Sequence, residues 1–375
     1  MNEKWIVYNK KADFYRLSEQ FHIDRVIARV IRNRDIVSPE EFERYLGDDG
    51  SLYDPHSMKD MDKGVQLIQN AIIEQKRIRI ISDYDVDGIM SNYILYQGLL
   101  RCNAKVDYRI PDRITDGYGM NENMVREAHD AGVEVLLTCD NGIAALLPIA
   151  YAKNLGMTVV VTDHHDIPFE YDEDGKKEYL QSVADAVIDP KQPDCNYPFK
   201  HLCGAGVAYK FIQTLYAICG VDVQEAERFI EFVALATICD VVDLRDENRI
   251  LVKRGLAELN RTGNYGLRAL IKVNNLGMHQ LQSYHLGFVL GPCINATGRL
   301  ETAKLAMELL LEEHYDTALE RAERLKTLND ERKEMTQTGV AAAIEQVETT
   351  TLADDRVLVI YLPNTHESLA GIIAG

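Results

Sequence analysis

The sequence has no paired cysteine motif and no long hydrophobic run. Its seven cysteines are scattered and none forms a CxxC pair, which argues against a zinc site and against a disulfide framework. No run of about eighteen apolar residues occurs, and the polar N-terminus lacks the apolar core of a secretion signal. We therefore expect a cytoplasmic protein with no membrane partner.

Basic residues are scarce relative to acidic ones. The chain has 41 lysines and arginines against 59 aspartates and glutamates, which gives a formal net charge of -18. A surface of this charge repels nucleic acid on average, so a nucleic-acid enzyme would have to gather its basic groups in one groove. The hydrophobic fraction of 46% is typical of a globular protein, and 375 residues suffice for two domains.

Short β-rich runs alternate with helix-like segments in the first half of the chain. Continuous Val, Ile and Leu runs are typical of strands that are covered on both faces. The alternation predicts an α/β fold in which a parallel sheet has helices on both faces. The predicted strands span 78–82, 105–110, 133–139, 157–162 and 185–188.

The other segments predict the domain organisation. Ser38 followed by Pro39 and two glutamates predicts a helix start in the N-terminal lead-in, and an acidic stretch at 168–182 predicts an exposed loop insertion. A region rich in Ala, Leu, Glu, Lys and Arg predicts a connector helix that is bent or broken at most once, at its one glycine, Gly339. We expect a helical lead-in at 1–55, a catalytic domain at 56–300, the connector helix at 301–350 and the truncated beginning of a second α/β domain at 351–375, with a strand at 355–362.

Carboxylates and imidazoles follow four of the five predicted strands. Because the loops at the carboxyl ends of parallel strands form the ligand crevice of an open sheet, we expect these groups to meet there. Such a cluster of carboxylates would repel itself unless divalent cations were bound. The side chains are Asp83, Asp85, Asp87, Asp140, Asp163, His164, His165 and Asp189.

The chemistry of this cluster indicates a hydrolytic metal site. Asp83 and Asp85 are two residues apart, so an extended backbone directs both carboxylates to the same side. Carboxylate oxygens with one or two imidazoles suit Mn2+ or Mg2+ better than zinc or copper. Two such ions that share a carboxylate hydrolyse phosphoesters in many enzymes.

Several motifs together resemble those of the DHH phosphoesterase superfamily, and within it the bacterial RecJ single-strand-specific exonucleases. DYDVDG (83–88), DNG (140–142), DHH (163–165) and CDVVD (239–243) match the metal motifs, and the last of these adds Asp240. RIPDRITDGYGM (109–120), GPCINATGRL (291–300) and HESLAGIIAG (366–375) resemble stretches typical of the RecJ branch.

The resemblance implies a role for each residue of the cluster. The metal ligands would be Asp83, Asp85, Asp140, His164 and Asp240, with Asp140 bridging two Mn2+ or Mg2+ ions. His165 would contact the scissile phosphate and Asp163 would orient the first imidazole, that of His164, while Asp87 would support the site by hydrogen bonding. Asp189 is either a further ligand or part of an ordinary turn.

Arginine presents a planar fork that binds phosphate at two points. The resemblance implies that Arg109, Arg113 and Arg299 hold substrate phosphates together with Asn295 and His366. A basic stretch within 245–272 is either an electrostatic track for a single strand or an ordinary helix surface. Its members are Arg245, Arg249, Lys253, Arg254, Arg261, Arg268 and Lys272.

The function implied by the resemblance is metal-dependent hydrolysis of single-stranded DNA from the 5′ end to 5′-mononucleotides, in DNA repair and recombination. A single-strand-binding protein and a helicase are the implied partners. Two alternatives are a phosphodiesterase for short oligonucleotides or cyclic dinucleotides, and a non-catalytic scaffold. The retained set of ligands argues against the scaffold.

Overall fold

A parallel sheet of five strands lies at the centre of the protein. The computed structural model describes residues 6, 10–47, 50–277, 280–350, 352 and 355–375. The sheet has the order β2-β1-β3-β4-β7, and each neighbouring pair is parallel. The described residues form seven strands, of which β5 and β6 make a separate two-stranded sheet. They are β1 Arg77–Ser82, β2 Lys105–Arg109, β3 Val135–Cys139, β4 Thr158–Thr162, β5 Phe169–Tyr171, β6 Lys177–Tyr179 and β7 Ala186–Ile188. The predicted α/β class and all five predicted strands are confirmed.

Helices account for most of the remaining described chain. Short 3₁₀ segments lie at Pro55–Ser57, Val223–Phe229 and Glu367–Leu369, and a π-helical segment lies at Leu286–Leu290. The α-helices are α1 Phe14–Phe21, α2 Arg25–Arg32, α3 Pro39–Leu46, α4 Met61–Ile73, α5 Val86–Arg101, α6 Glu122–Asp130, α7 Leu146–Asn154, α8 Gly204–Cys219, α9 Ile230–Cys239, α10 Asp246–Leu259, α11 Tyr265–Val273, α12 Ser283–His285, α13 Gly291–Leu300, α14 Lys304–Leu311, α15 Tyr315–Thr349 and α16 Ala370–Ala374. Within the described ranges, none of the helices has the length and apolar character that crossing a membrane requires.

Both faces of the central strand β3 are buried, as the continuous apolar runs predict. Successive side chains of a strand point to opposite faces, so β3 sends Leu137 into one hydrophobic cluster and Leu136 into the other. Both side chains are fully buried. Burying one such side chain contributes about 1.5–3 kcal/mol, which makes the central strands a rigid base for their carboxyl ends.

The acidic insertion is folded rather than irregular. The sequence predicts an exposed loop at 168–182, whereas β5 and β6 form an antiparallel hairpin there. The prediction of exposure is correct, because every residue of both strands is exposed. Phe and Tyr residues at alternate positions explain the hairpin, since aromatic side chains stabilise cross-strand pairs.

The predicted connector helix is wrong in its start and in the position of its break. Helix α14 begins at Lys304, and the chain leaves helical geometry at Glu312 before α15 runs from Tyr315 to Thr349. Gly339 lies inside α15, where an added Cβ would come within 2.4 Å of Ile373 Cδ1. The glycine therefore allows α16 to pack closely instead of bending the helix.

The predicted strand at 355–362 is absent from the described residues of that segment, so this prediction is wrong. The segment is largely exposed, with Val357 and Val359 about three-quarters or more accessible to solvent. A strand requires a neighbour that pairs with its backbone N–H and C=O groups, and none of the described strands pairs with this segment. Apolar composition alone therefore misled the prediction.

The N-terminal lead-in has a hydrophobic cluster of its own around Ile31, Ile36 and Phe42. Ser38 is the predicted N-cap of α3, and its Oγ accepts a hydrogen bond from the Glu41 N–H at 3.2 Å. The Glu41 carboxylate accepts a bond from the Ser38 N–H at 2.9 Å, which completes a capping box.

Removal of the cap hydroxyl should destabilise the lead-in. We expect Ser38→Ala to lower the free energy of unfolding by about 1 kcal/mol, measured by urea denaturation followed by circular dichroism. Ser38→Asp keeps a side-chain acceptor and should remain close to the unmodified protein. Equal stability of all three proteins would contradict the capping role.

Candidate metal centre

The register of the sheet places three acidic residues side by side. Ser82 pairs with Cys139, and Cys139 pairs with Thr162. The next residue of each strand end is therefore Asp83, Asp140 or Asp163. All three are almost fully buried, with exposed fractions of 3%, 2% and 0%. The predicted meeting of these groups at the carboxyl edge of the sheet is confirmed.

Asp140 is held in an unusual backbone conformation. Its φ is +57°, in the left-handed region that non-glycine residues seldom adopt. Gly142 follows with φ +116°, and an added Cβ there would lie 2.5 Å from Thr138 Oγ1. After these turns α7 begins at Leu146. The turn directs the Asp140 carboxylate towards the neighbouring acids.

One group of potential ligand atoms consists of Asp83, Asp85 and Asp140. Their carboxylate oxygens lie within 4.8 Å of one another. Oδ1 of Asp83 is buried and has no hydrogen-bond partner in the described part of the chain. A buried carboxylate oxygen without a donor is costly, and a cation would satisfy it. This group of residues therefore fits a divalent cation.

The His164 imidazole joins further carboxylates to the same centre. Its Nε2 lies 3.0 Å from Asp140 Oδ1, 3.4 Å from Asp87 Oδ2 and 3.8 Å from Asp240 Oδ2. Potential ligand atoms cluster within 4.8 Å in two more groups, Asp140 with His164 and His165, and Asp87 with His164 and Asp240. All five sequence-predicted ligands thus occur in these groups.

Asp87 accepts hydrogen bonds from a helix N-terminus, and hydrogen bonding is the kind of support that the resemblance implies for it. Its two carboxylate oxygens accept hydrogen bonds from the backbone N–H groups of Gly204 at 2.6 Å and Ala205 at 2.8 Å. These N–H groups begin α8, where the helix dipole favours a negative charge. Gly204 also contacts Asp140 so closely that an added Cβ would lie 2.8 Å from the Asp140 Cβ.

Asp163 orients the second imidazole, not the first. The sequence analysis assigns its side chain to His164, but Oδ1 accepts a hydrogen bond from His165 Nδ1 at 2.7 Å. The contact with His164 is made through the backbone N–H, also at 2.7 Å. The reason is geometric, because the His164 ring turns into the carboxylate cluster and away from Asp163.

The Asp163–His165 pair is a charged pair at the edge of the centre. The hydrogen bond that His165 donates to Asp163 raises the pKa of His165 to about 9. Burial opposes the ionisation of Asp163, but its bond to His165 and the N–H of Ile143 outweigh burial and lower its pKa. His165 Nε2 lies 3.1 Å from the hydroxyl of Tyr118. A protonated imidazole in this position suits a negatively charged phosphate.

Crowding of the carboxylates opposes their ionisation. Burial, followed by the charge of Asp85, raises the pKa of Asp83 to about 7. Burial, followed by the charge of Asp87, raises the pKa of Asp240 to about 8 and also raises those of Asp85 and Asp140. These carboxyl groups therefore retain protons at neutral pH unless a metal cation takes the place of the protons.

Asp189 lies beside the centre but in none of the three groups of potential ligands. Its Oδ1 accepts a hydrogen bond from the Lys191 N–H at 2.7 Å, which is a turn contact. Its Oδ2 is buried without a hydrogen-bond partner among the described residues, and burial raises the pKa to about 8. The contact with Lys191 is that of a turn, while the unpartnered Oδ2 shares the feature of Oδ1 of Asp83, so each of the two alternatives stays a prediction.

The residues predicted to bind phosphate fall into two groups, those that hold loops in place and those that line a cleft. Arg109 is occupied, because it bonds to Asp116 at 2.9 Å and to the Ile110 carbonyl at 2.6 Å. Asn295 Oδ1 accepts a hydrogen bond from the Val86 N–H at 3.1 Å and so braces the first metal motif. Both contacts hold loops around the centre, and phosphate binding by Arg109 and Asn295 stays a prediction.

Arg113 and Arg299 line a cleft of about 520 Å³ together with Glu367 and Ser368. Arg299 donates a hydrogen bond to the Ser368 carbonyl at 2.7 Å. His366 Nδ1 lies 2.7 Å from the Ser368 hydroxyl, so His366 contacts the wall of the cleft indirectly. The cleft brings two guanidinium groups near the carboxylates, as required of a phosphate-binding region.

Most of the basic stretch is used within the protein. Arg249 donates to the Tyr45 carbonyl at 2.6 Å, Arg254 to the Gly50 carbonyl at 2.9 Å and Lys253 to the Gly47 carbonyl at 2.8 Å. These bonds attach α10 to the lead-in. Arg261 pairs with Glu258, and Arg268 lies 5.2 Å from the ring centre of Tyr315. The structure favours the helix-surface alternative over a track for a strand.

Comparison with known proteins agrees with the geometry of the strand ends. Residues 77–237 match the model described as "DHH family, N-terminal domain". Over these residues the chain is similar to the N-terminal domain of the DHH family. It is 36% identical to the single-stranded-DNA-specific exonuclease RecJ of Bacillus subtilis, over 99% of this chain and 45% of that protein. The corresponding values for Escherichia coli RecJ are 32%, 93% and 61%, so the chain spans about half the length of these relatives.

Solved structures with the same fold include metal-bound RecJ proteins. A crystal structure of exonuclease RecJ bound to manganese is 29% identical, with a TM-score of 0.74 over 84% of this chain and 76% of that one. The structure of Thermus thermophilus RecJ in complex with Mn2+ is 25% identical, with a TM-score of 0.78 over 96% of this chain and 50% of that one.

The sequence analysis missed two tyrosines beside the DHH-family motifs. Tyr118 contacts His165, and its ring packs edge-on against Tyr84, with 6.2 Å between ring centres. The Arg113 guanidinium lies 4.9 Å from the centre of the Tyr84 ring. Both tyrosines occur within motifs quoted for the resemblance, but no periodicity or spacing distinguishes them from loop residues.

The raised carboxylate pKa values predict an unusual pH dependence of stability. A carboxyl group whose folded pKa exceeds its unfolded value of 3.8 stabilises the folded state at low pH, and this contribution is lost as pH rises to about 8. The metal-free protein should therefore become less stable from about pH 4 to about pH 8 through these groups. Urea denaturation in EDTA at a series of pH values measures this.

Two further measurements isolate the cluster as the cause. Asp240→Asn should flatten the decline, since asparagine resembles the protonated acid. Mn2+ should restore stability at high pH in the unmodified protein, because a ligand bound to the folded state stabilises it. If the metal-free protein instead gains stability from about pH 5 to about pH 8, and Asp240→Asn leaves this profile unchanged, the carboxylate cluster is not the cause.

Proposed function

We propose that this chain is the catalytic part of a two-metal exonuclease that hydrolyses single-stranded DNA from the 5′ end to 5′-mononucleotides. The observation that carries the proposal is the position of Asp140, which belongs to two groups of potential ligands, one with Asp83 and Asp85 and one with the DHH histidines. A carboxylate shared by two groups is the arrangement that a pair of metal ions requires. The curated relatives are named as exonucleases of this kind.

The residues that would hold the two ions are Asp83, Asp85, Asp140, His164 and Asp240, and Asp87 lies close enough to take part. Carboxylate oxygens predominate among them, which suits Mn2+ or Mg2+. When bound, the ions supply an activated water and stabilise the leaving oxygen. The Mn2+-bound structures of RecJ proteins support this choice of cofactor.

The chain's own residues bind and orient the phosphate. Asp163 fixes the His165 ring through Nδ1 and favours its protonated form, which attracts the scissile phosphate. Arg113 and Arg299 line the neighbouring cleft, where their planar groups suit a terminal phosphate. Tyr118 limits the motion of the His165 ring by its contact with Nε2. Polarity and the role in DNA repair and recombination rest on resemblance to the RecJ branch.

The partners and location belong to the same proposal. Resemblance supports a single-strand-binding protein and a helicase as partners and the cytoplasm as the compartment. A phosphodiesterase acting on short oligonucleotides or cyclic dinucleotides is the alternative. The two guanidinium groups beside the centre suit either kind of substrate, so substrate length decides between them.

Loss of the shared carboxylate should abolish hydrolysis. We expect Asp140→Ala to reduce the rate by at least about a thousandfold, because it removes a ligand from both groups. The exposed Asp130→Ala at the end of α6 is the matched control and should keep the rate of the unmodified protein. Release of mononucleotides from single-stranded DNA with Mn2+ measures both. Retained hydrolysis in a folded, metal-bound Asp140→Ala protein would sink the assignment.

Substrate length and polarity can be tested on the unmodified chain. Single and double strands labelled at the 5′ or the 3′ end should show early release of the 5′ label from single strands, with duplex resistant. A strong preference for chains of two to four nucleotides, or for cyclic dinucleotides, would favour the alternative. Release of the 3′ label first would overturn the polarity.

A further inference from the structure

The hairpin β5–β6 has one aromatic face. In its register Phe169 pairs with Tyr179 and Tyr171 pairs with Lys177. Residues paired across an antiparallel ladder lie on the same side, and so do residues two apart in one strand. Phe169, Tyr171, Lys177 and Tyr179 therefore share one face, which we call the aromatic face.

The aromatic face is exposed to solvent although three of its four side chains are aromatic. The exposed fractions are 39% for Phe169, 65% for Tyr171 and 42% for Tyr179. The Phe169 ring lies edge-on to both tyrosine rings, with centres 5.4 and 6.3 Å apart. A contiguous exposed apolar cluster of this kind marks an interaction site more often than scattered surface residues do.

Charge is segregated between the two sides of the hairpin. Lys177 is the charged residue of the aromatic face, and its ammonium lies 3.9 Å from the centre of the Phe169 ring. The opposite face pairs Glu170 with Glu178, although like charges directly across a ladder are destabilising. The turn adds Asp172, Glu173 and Asp174 against one lysine, Lys176. A polyanion is therefore repelled by the back and the turn and is accepted by the aromatic face.

The hairpin begins only a few residues after the metal centre in the sequence. Phe169 follows His165 by four residues, so their Cα atoms are at most about 14 Å apart even in an extended chain. A nucleic acid whose end lies at the metal centre can therefore reach the hairpin within a few nucleotides.

We propose that the aromatic face is a stacking platform for the bases of a single-stranded nucleic acid outside the catalytic cleft. Aromatic rings stack on any base, and Lys177 offers a cation to an adjacent phosphate. The inference rests on the proposed function for its substrate class and adds a second contact region for that substrate. Since the platform lies outside the cleft, it increases affinity for strands long enough to reach it and leaves a dinucleotide unaffected.

The test compares a hairpin variant with a control on the same hairpin. Tyr171→Ala combined with Tyr179→Ala removes two exposed rings, and Glu170→Gln combined with Glu178→Gln alters the opposite face. Fluorescence anisotropy in EDTA, which prevents metal-dependent cleavage, measures the binding of labelled oligothymidylate of about twenty nucleotides. Hydrolysis of a thymidine dinucleotide with Mn2+ measures the metal centre separately.

We expect the tyrosine variant to bind the long strand at least about fivefold more weakly and to hydrolyse the dinucleotide at the unmodified rate. The glutamine control should bind the long strand as well as the unmodified protein or better. Lys177→Glu provides a second variant that keeps the rings and reverses the charge, and it should also weaken long-strand binding.

Unchanged long-strand affinity in both the tyrosine and the Lys177→Glu variants would overturn the platform, and the exposed rings would then belong to a protein contact. An equal loss in the glutamine control would also overturn it. Failure of the proposed function gives a different result. In that case the unmodified chain does not hydrolyse the strand or the dinucleotide, while long-strand binding still depends on the hairpin.

Discussion

The crowding of buried carboxylates at one edge of the sheet is the constraint on which the rest of the structure depends. Asp83, Asp140 and Asp163 follow three paired strands, and burial prevents water from screening their charges. The protein offsets the repulsion between these carboxylates in two ways. Asp163 is neutralised by His165, and Asp87 by the N-terminus of α8. The remaining acids have no such internal partner of opposite charge among the described residues, which is why protons or divalent cations must accompany them.

The same constraint explains why distant parts of the chain converge on this edge. Helix α8 must begin against Asp87 and Asp140, and Gly204 leaves no room for a side chain there. Asp240 follows α9, so it reaches the centre only because α9 packs against α5 and α8 in one core. The rigid strands set the positions of the first carboxylates, and the helices then bring the rest within a few ångströms.

Local patterns predicted the features that local physics controls. Strands β3 and β4 are largely apolar runs followed by an aspartate, so their ends and the meeting point followed from the sequence. The interactions of Asp163 and Arg109 did not follow from the sequence, because the ring angle of His164 and the acids around Arg109 depend on tertiary packing. The strand predicted at 355–362 was wrong for the opposite reason. Its apolar pattern is local, but a strand also needs a neighbour that pairs with its backbone. The break before α15 was misplaced at Gly339, where packing, not flexibility, requires glycine.

A net charge of -18 is compatible with a polyanionic substrate because the basic groups are distributed unevenly. The residues of the 245–272 stretch mostly bind carbonyls or acids of the protein itself, so their hydrogen-bond donors are largely occupied. Arg113 and Arg299 instead line one cleft, and His165 lies in a group of potential metal ligands. An acidic surface elsewhere then favours approach of a nucleic acid at this one edge, where bound cations would add to the attraction. Base stacking on exposed rings adds affinity that does not require further positive charge, which suits a protein with so few basic groups to spare.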